Sequence, residues 1–240
     1  MGGNLFIHTL ASVTIGDNVQ ISGGQLQAGS AGTGGVVGTA GLAYGFDIFI
    51  ASGATLNFTN TDTFTVTKNI QSNQGIVGSN PLVTTGGLIM NGTGTLNLAG
   101  SPGLIHTYTA TTQILQGTVQ IDGNANLGST STPFVNNPIV IQNGTLNTTA
   151  TFSSSRPFSL TSASATINTN SGTTLTLTGT ISGSGSLNKQ GTGTLVLSPA
   201  SSNTYTGGTT IGSGTLQIQS DGALGQSNGS VTIGDGATLS

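Results

Sequence analysis

The sequence predicts an all-β solenoid of short parallel strands, on three observations. The first is internal repetition. Residues 187–218 read LNKQGTGTLVLSPASSNTYTGGTTIGSGTLQI, and residues 88–121 read LIMNGTGTLNLAGSPGLIHTYTATTQILQGTVQI, a looser copy with its features in the same order. Leu96 and Leu195 stand 99 residues apart, whereas Tyr108 and Tyr205, like Leu127 and Leu224, stand 97 apart, so the register drifts by one two-residue deletion. The second is strand-period alternation with no helical period anywhere. The third is spacing: Leu96 to Val119 is 23 residues, Val119 to Ile139 is 20 and Leu195 to Leu216 is 21. Those intervals are too long for hairpins and fit one coil of a solenoid.

Taken in chain order, the elements support that reading. VTIGD at 13–17 recurs at 231–235, which implies that the chain begins and ends at about the same phase of the coil. Residues 29–48, GSAGTGGVVGTAGLAYGFDI, are too rich in glycine for a regular strand and predict an insertion loop. Residues 63–67, TFTVT, alternate threonine with apolar side chains. Segments 69–86 and 99–112 are expected to be turns of variable length. Leu96 and Leu98 flank Asn97, Val119 and Ile121 flank Gln120, and Leu175 and Leu177 flank Thr176. Leu216 and Ile218 flank Gln217, and Val231 and Ile233 flank Thr232. Pairs such as Asn91-Gly92, Asn143-Gly144, Asp221-Gly222 and Asp235-Gly236 end the runs as tight turns. Inward positions should stack Leu on Val on Ile, and outward positions Thr, Asn and Gln. Stacked Asn should add side-chain ladders where the chain turns. Phe58, Phe64, Phe134, Phe152 and Phe158 are expected in the wider parts of the core. One continuous solenoid over residues 1–240, carrying the 29–48 insertion, is the expected organisation.

Composition narrows the functional classes. Gly, Ser, Thr and Asn supply 129 of the 240 residues, yet hydrophobic residues reach 34 % and alternate at fixed spacing, which argues against disorder. Three Lys or Arg against six Asp give a net charge of −3. Lys68, Arg156 and Lys189 are scattered singly, so nothing offers the basic patch that phosphate neutralisation requires; nucleic acid and anionic membranes are not expected partners. No apolar run approaches the roughly 20 residues of a spanning helix. The first residues lack the charge pattern of a signal peptide, so Met1 reads as an added start or an internal boundary. The absence of cysteine excludes a disulfide framework and thiolate metal sites.

The stretch 187–218, with GTGTLVL at 191–197, NTYTGGTTI at 203–211, GTLQI at 214–218 and ALG at 223–225, resembles the autotransporter-associated β-strand repeat of bacterial autotransporter passenger domains. The copy at 88–121 departs from it, with Thr109-Ala110-Thr111-Thr112 where the family has TGGT. The resemblance implies a right-handed parallel β-helix exported to the cell surface, here as a passenger fragment without its translocator barrel.

Chemistry-bearing residues are few. Asp17, Asp122, Asp221 and Asp235 occupy turn positions, where Asp favours local hydrogen bonds. Asp47 and Asp62, 15 residues apart, could lie one coil from each other, but nothing supplies a matching base or a basic clamp, and glycoside hydrolysis needs two neighbouring carboxylates. His8 and His106 lie in unrelated contexts, and His106 stands in the slot that Asn203 occupies in the later copy. DGNANLG from Asp122 is a faint calcium-loop echo lacking the sixth-position glycine and the bidentate Glu, with Pro133 in its place. TFTVT and TLTLT (174–178) suggest a threonine array of the ice-binding kind, but the pairs do not recur coil after coil. No catalytic, cofactor or metal residue is therefore assigned. The expected role is a non-enzymatic surface passenger for adhesion, self-association or display, partnering itself or host and matrix glycans or proteins. A filament stacking end to end and a carbohydrate-binding or carbohydrate-active β-helix are the alternatives.

Overall fold

Each alternating run forms a strand of two to four residues, because β-branched and Leu side chains pack on a pleated surface while Gly and Asn close the turns. The computed structural model describes residues 5–7, 11–17, 48–50, 54–67, 69–72, 87–99, 104–129 and 137–240. Most of the 29–48 and 69–86 segments lie outside the described residues, as do Met1, His8, Asp47, Lys68, Pro133 and Phe134. Ile48 opens a strand instead of closing an insertion.

The strands assemble into parallel sheets visited in turn, which is a β-solenoid. The longest has eight strands: Thr63–Thr65, Thr95–Asn97, Thr118–Ile121, Thr145–Thr148, Thr166–Thr169, Leu187–Gln190, Thr209–Ile211 and Val231–Ile233. A seven-stranded sheet runs through Ser12–Ile15, Thr55–Phe58, Gly87–Met90, Thr111–Ile114, Ile139–Ile141, Phe158–Leu160 and Ile181–Ser182. The third side begins as a three-stranded sheet (Leu5–Ile7, Ile48–Ile50, Ile70–Ser72). It continues as a five-stranded one: Phe152–Ser154, Thr174–Leu177, Thr194–Leu197, Thr215–Ile218 and Thr238–Leu239. The coil settles at 22 residues, the interval separating Ile167, Lys189, Ile211 and Ile233 in register.

Inward side chains stack in columns. Leu96, Val119, Leu146 and Ile167 share one, and Leu175, Leu195 and Leu216 another, all essentially inaccessible to solvent. Phe58 and Phe158 are buried, and Phe64 and Phe152 pack against the core from its periphery. The rings of Phe58 and Phe64 lie 5.3 Å apart. The stretch expected to be a turn over 99–112 is already strand from Thr111.

Two expectations about phase and polar stacking are corrected. VTIG at 13–16 begins in the seven-stranded sheet, whereas its recurrence at 231–234 begins in the eight-stranded sheet, so the two copies face different sides. The repeat at 88–121 is offset in the same way. Thr95–Asn97 belongs to the eight-stranded sheet and its equivalent, Thr194–Leu197, to the five-stranded one. The offset of 97 to 99 residues is four coils and one side. The amide ladder lies mid-strand on the outer surface, not at the turns: Gln120 Nε2 donates to Asn97 Oδ1 at 3.2 Å, Asn147 Nδ2 to Gln120 Oε1 at 3.1 Å and Asn168 Nδ2 to Asn147 Oδ1 at 2.6 Å.

Candidate functional site

Each repeat copy builds the same corner from residues 97 apart. The Tyr108 hydroxyl meets Thr112 Oγ1 at 2.6 Å, and the Tyr205 hydroxyl meets Thr209 Oγ1 at 2.6 Å. Burial raises the pKa of both phenols, that of Tyr108 to about 12, with the threonine hydroxyl opposing it. The carbonyl of each tyrosine accepts an N–H from beyond a short 3-10 turn, Ser129 N–H at 2.9 Å and Gln226 N–H at 3.0 Å. The turns themselves are Asn124–Leu127 and Asp221–Leu224. The corner is thus a conserved-geometry joint between coils, and each tyrosine serves as its buried post.

His106 occupies the same place as Asn203, as its slot predicts. Its Nδ1 accepts Ile70 N–H at 2.9 Å, where Asn203 Oδ1 accepts Ile181 N–H at 2.7 Å. Asn203 also donates from Nδ2 to the Ala223 carbonyl at 2.7 Å, but His106 Nε2 is buried without a hydrogen-bond partner. Burial pulls the His106 pKa down to about 4, against a weaker opposing pull from the Leu98 carbonyl. The unfolded imidazole titrates near 6.5, so it takes up a proton that the folded one refuses, and stability is lost as pH falls from about 6.5 towards 4. At pH 5 the loss amounts to about 2 kcal/mol. His106→Asn should abolish that component; chemical denaturation at pH 7 and pH 5 would show it, and equal acid losses in both proteins would refute it.

Both described cations are buried, which single-residue scatter in the sequence did not reveal. Arg156 lays Nε on Asn124 Oδ1 at 2.9 Å and Nη2 on the Gly128 and Ser129 carbonyls at 2.8 and 2.9 Å. Lys189 points inward and donates from Nζ to the Gln190, Gly191 and Ser213 carbonyls at 2.8, 2.7 and 3.2 Å. Burial lowers its pKa to about 8, so it remains an ammonium at neutral pH. Neither side chain reaches solvent to meet a ligand.

The Asp17 carboxylate braces two neighbouring coils. Asp17 accepts Thr61 N–H at 2.7 Å and the Thr61 hydroxyl at 2.8 Å, and these bonds hold its carboxyl below the usual range. The N–H of Asp62 lies 3.4 Å from the same oxygen, so Asp62 neighbours Asp17 across adjacent coils. In DGNANLG, Asn126 Oδ1 accepts the N–H groups of Asp122 and Gly123, and Asn124 Oδ1 accepts Arg156 Nε, so those oxygens serve the turn. Among the described residues no three His, Asp or Glu side chains gather as metal ligands.

The outward surface of the eight-stranded sheet is the most regular chemical feature. Thr63, Thr95, Thr118, Thr145 and Thr166 stand in register, followed by Asn188, Thr210 and Thr232. A single threonine row recurs coil after coil, flanked by the amide ladder, while paired threonines of the TFTVT kind do not. A family model described as the passenger-associated-transport-repeat matches residues 88–121 and 187–218, the segments that hold the Tyr108–Thr112 and Tyr205–Thr209 pairs. Two segments of the chain are thus similar to the passenger-associated transport repeat. These repeats and the parallel solenoid fit an autotransporter passenger, and the family points to an exported protein at the surface or secreted. Neither the curated proteins nor the solved structures give a significant match.

Proposed function

We propose that this chain is a non-enzymatic passenger segment whose eight-stranded outer face mediates self-association and adhesion at the cell surface. The observation that supports this most is the absence of charge on that face: its outward positions over eight coils are Thr, Asn, Gln and Gly, with Lys189 turned inward. An uncharged, pleated surface meets a second copy without charge repulsion. Each amide in the ladder keeps further donors and acceptors for a facing chain or a matrix glycan. Low net charge lowers long-range repulsion in the same direction.

Sedimentation velocity over a range of concentrations tests the reading. The protein should shift to larger species as concentration rises, and Thr118→Lys with Thr145→Lys should return it to monomer by placing like charges on neighbouring coils. A strict monomer at high concentration that binds neither cells nor matrix would overturn the proposal.

A further inference from the structure

The third side of the solenoid is interrupted part-way along. Its three-stranded sheet ends at Ile70–Ser72 and its five-stranded sheet begins at Phe152–Ser154; between them the stack passes through residues 105–109 and the turn Asn124–Leu127. Strand pairing on residues 70–72 shrinks there to one isolated bridge, Gln71 with Thr107. The contacts around it are individual ones. Ile105 N–H donates to Asn69 Oδ1 at 3.1 Å, Thr107 N–H to the Ile70 carbonyl at 2.8 Å and Thr109 N–H to Ser72 Oγ at 2.9 Å. The N–H of Ile70 runs the other way, onto Nδ1 of His106 at 2.9 Å. A fully buried imidazole therefore closes this joint.

The hydrogen bond decides where protons can sit. A neutral imidazole carries one N–H, and because Nδ1 accepts, that proton is on Nε2. A second proton has only the Nδ1 lone pair to take, which Ile70 already occupies. Adding it sets two N–H donors against each other, so the Ile70 N–H must withdraw. Nothing described around the ring would hold an imidazolium in place. Asn69, Ile70, Gln71 and Ser72 are uncharged, as are Leu98 and the turn Asn124–Leu127. The Tyr108 ring, 6.4 Å away, is a phenol that burial keeps protonated. Asp122, ahead of the turn, is exposed to solvent, and Arg156, bonded to the turn, is itself a cation. The Leu98 carbonyl favours the charged ring, but burial outweighs it. The second corner has no such chemistry, since Asn203 Oδ1 takes the equivalent N–H from Ile181 and does not titrate.

We infer that His106 is an acid-sensitive latch: proton uptake at Nδ1 releases Ile70 and opens the joint between residues 69–72 and 105–109 while the neighbouring coils stay folded. Opening is local because it breaks the few contacts of the joint and leaves the Leu96–Val119–Leu146 column and its parallel ladders intact. The sign follows from the tautomer. The closed joint refuses the proton that the open one accepts, so closure is complete above about pH 6.5 and is lost as pH falls towards 4. What opening uncovers has a use. Ile70–Ser72 is the last strand of its sheet, and the segment 105–109 covers its free edge. Acid thus bares the N–H and C=O of Ile70, the groups through which an edge strand pairs with another chain.

Residue-resolved hydrogen exchange on the full chain, corrected for intrinsic rates, provides the test. From pH 7 to pH 5 the opening of the Ile70, Thr107 and Thr109 amides should rise about twentyfold, the factor linkage gives for a ring that titrates near 6.5 when open and about 4 when closed. The amides of Leu146 and Leu195, in ladders away from the joint, should hold their protection. In His106→Asn the rise should vanish, because Asn203 shows that an amide can serve the slot. Nitrogen resonances of the parent's ring at pH 7 give a check that needs no variant: the proton should be on Nε2. The inference fails if the proton is on Nδ1, or if His106→Asn shows the same rise. It also fails if acid lowers protection equally in every coil, since the loss would then be global and no latch would exist.

Discussion

Arg156→Ala is expected to lower unfolding stability by about 4 kcal/mol, among the largest effects any single substitution in this chain should have. The guanidinium is fully buried and its four bonds all run to the preceding coil, to Asn124, Gly128 and Ser129. Truncation leaves those acceptors facing a cavity, and an acceptor buried without a partner costs about 1–3 kcal/mol. Burial already lowers the Arg156 pKa, with the Tyr108 hydroxyl acting in the opposite direction, so the bonds offset a desolvation cost. Arg156→Lys should recover less than half of the loss, because an ammonium cannot span the side chain of Asn124 and two carbonyls together. Urea unfolding gives the magnitude, and hydrogen exchange gives its location: protection should fall first at residues 124–129. A loss under about 1 kcal/mol, or one spread evenly over the coils, would contradict the assignment.

Lys189→Met should cost about 3 kcal/mol, because the Gln190, Gly191 and Ser213 carbonyls lose their shared donor. The first copy shows how the same slot is filled without a charge. Met90 is equivalent to Lys189; its Cε would lie 2.8 Å from a Cβ placed on Gly117, as Lys189 Nζ would lie 3.0 Å from one on Gly214. Both glycines have φ near +66°, so neither position tolerates a side chain. In that copy the Asn91 carbonyl, equivalent to that of Gln190, is instead satisfied by the side chain of Gln116. Gln116 is equivalent to Ser213. Met with Gln and Lys with Ser are therefore two solutions to one packing problem. Ser213→Gln alone should be close to neutral, and the double variant Lys189→Met with Ser213→Gln should return to within about 1 kcal/mol of the parent. A coupling of about 2 kcal/mol between the two sites follows, and simple additivity would rule it out.

Much of this was legible in the sequence. Alternation marked the strands, Gly-containing pairs marked the turns, and spacing distinguished a solenoid from hairpins, because each is a local consequence of a two-residue side-chain period and a fixed coil length. The slot shared by His106 and Asn203 could likewise be read from the alignment of the two copies. The threonine row was legible too, in the recurring tripeptides TLN, TVQ, TLN and TIN at 95–97, 118–120, 145–147 and 166–168, but it shows only when successive coils are laid side by side. Alternation places Lys189 on the side of Leu187, but nothing else in the sequence marks a buried ammonium, because its acceptors are backbone carbonyls. Arg156 left no pattern, since SSSRPF neither alternates nor repeats, and its role depends on a coil about thirty residues earlier. Phase was misjudged for a different reason: sequence periodicity counts residues, whereas a solenoid counts sides, and 97 residues need not be a whole number of turns.

That fractional advance has a consequence for how the shaft presents itself. Because the second corner emerges one side further round than the first, the two irregular turns are set like treads of a spiral stair, and no single side of the solenoid carries both.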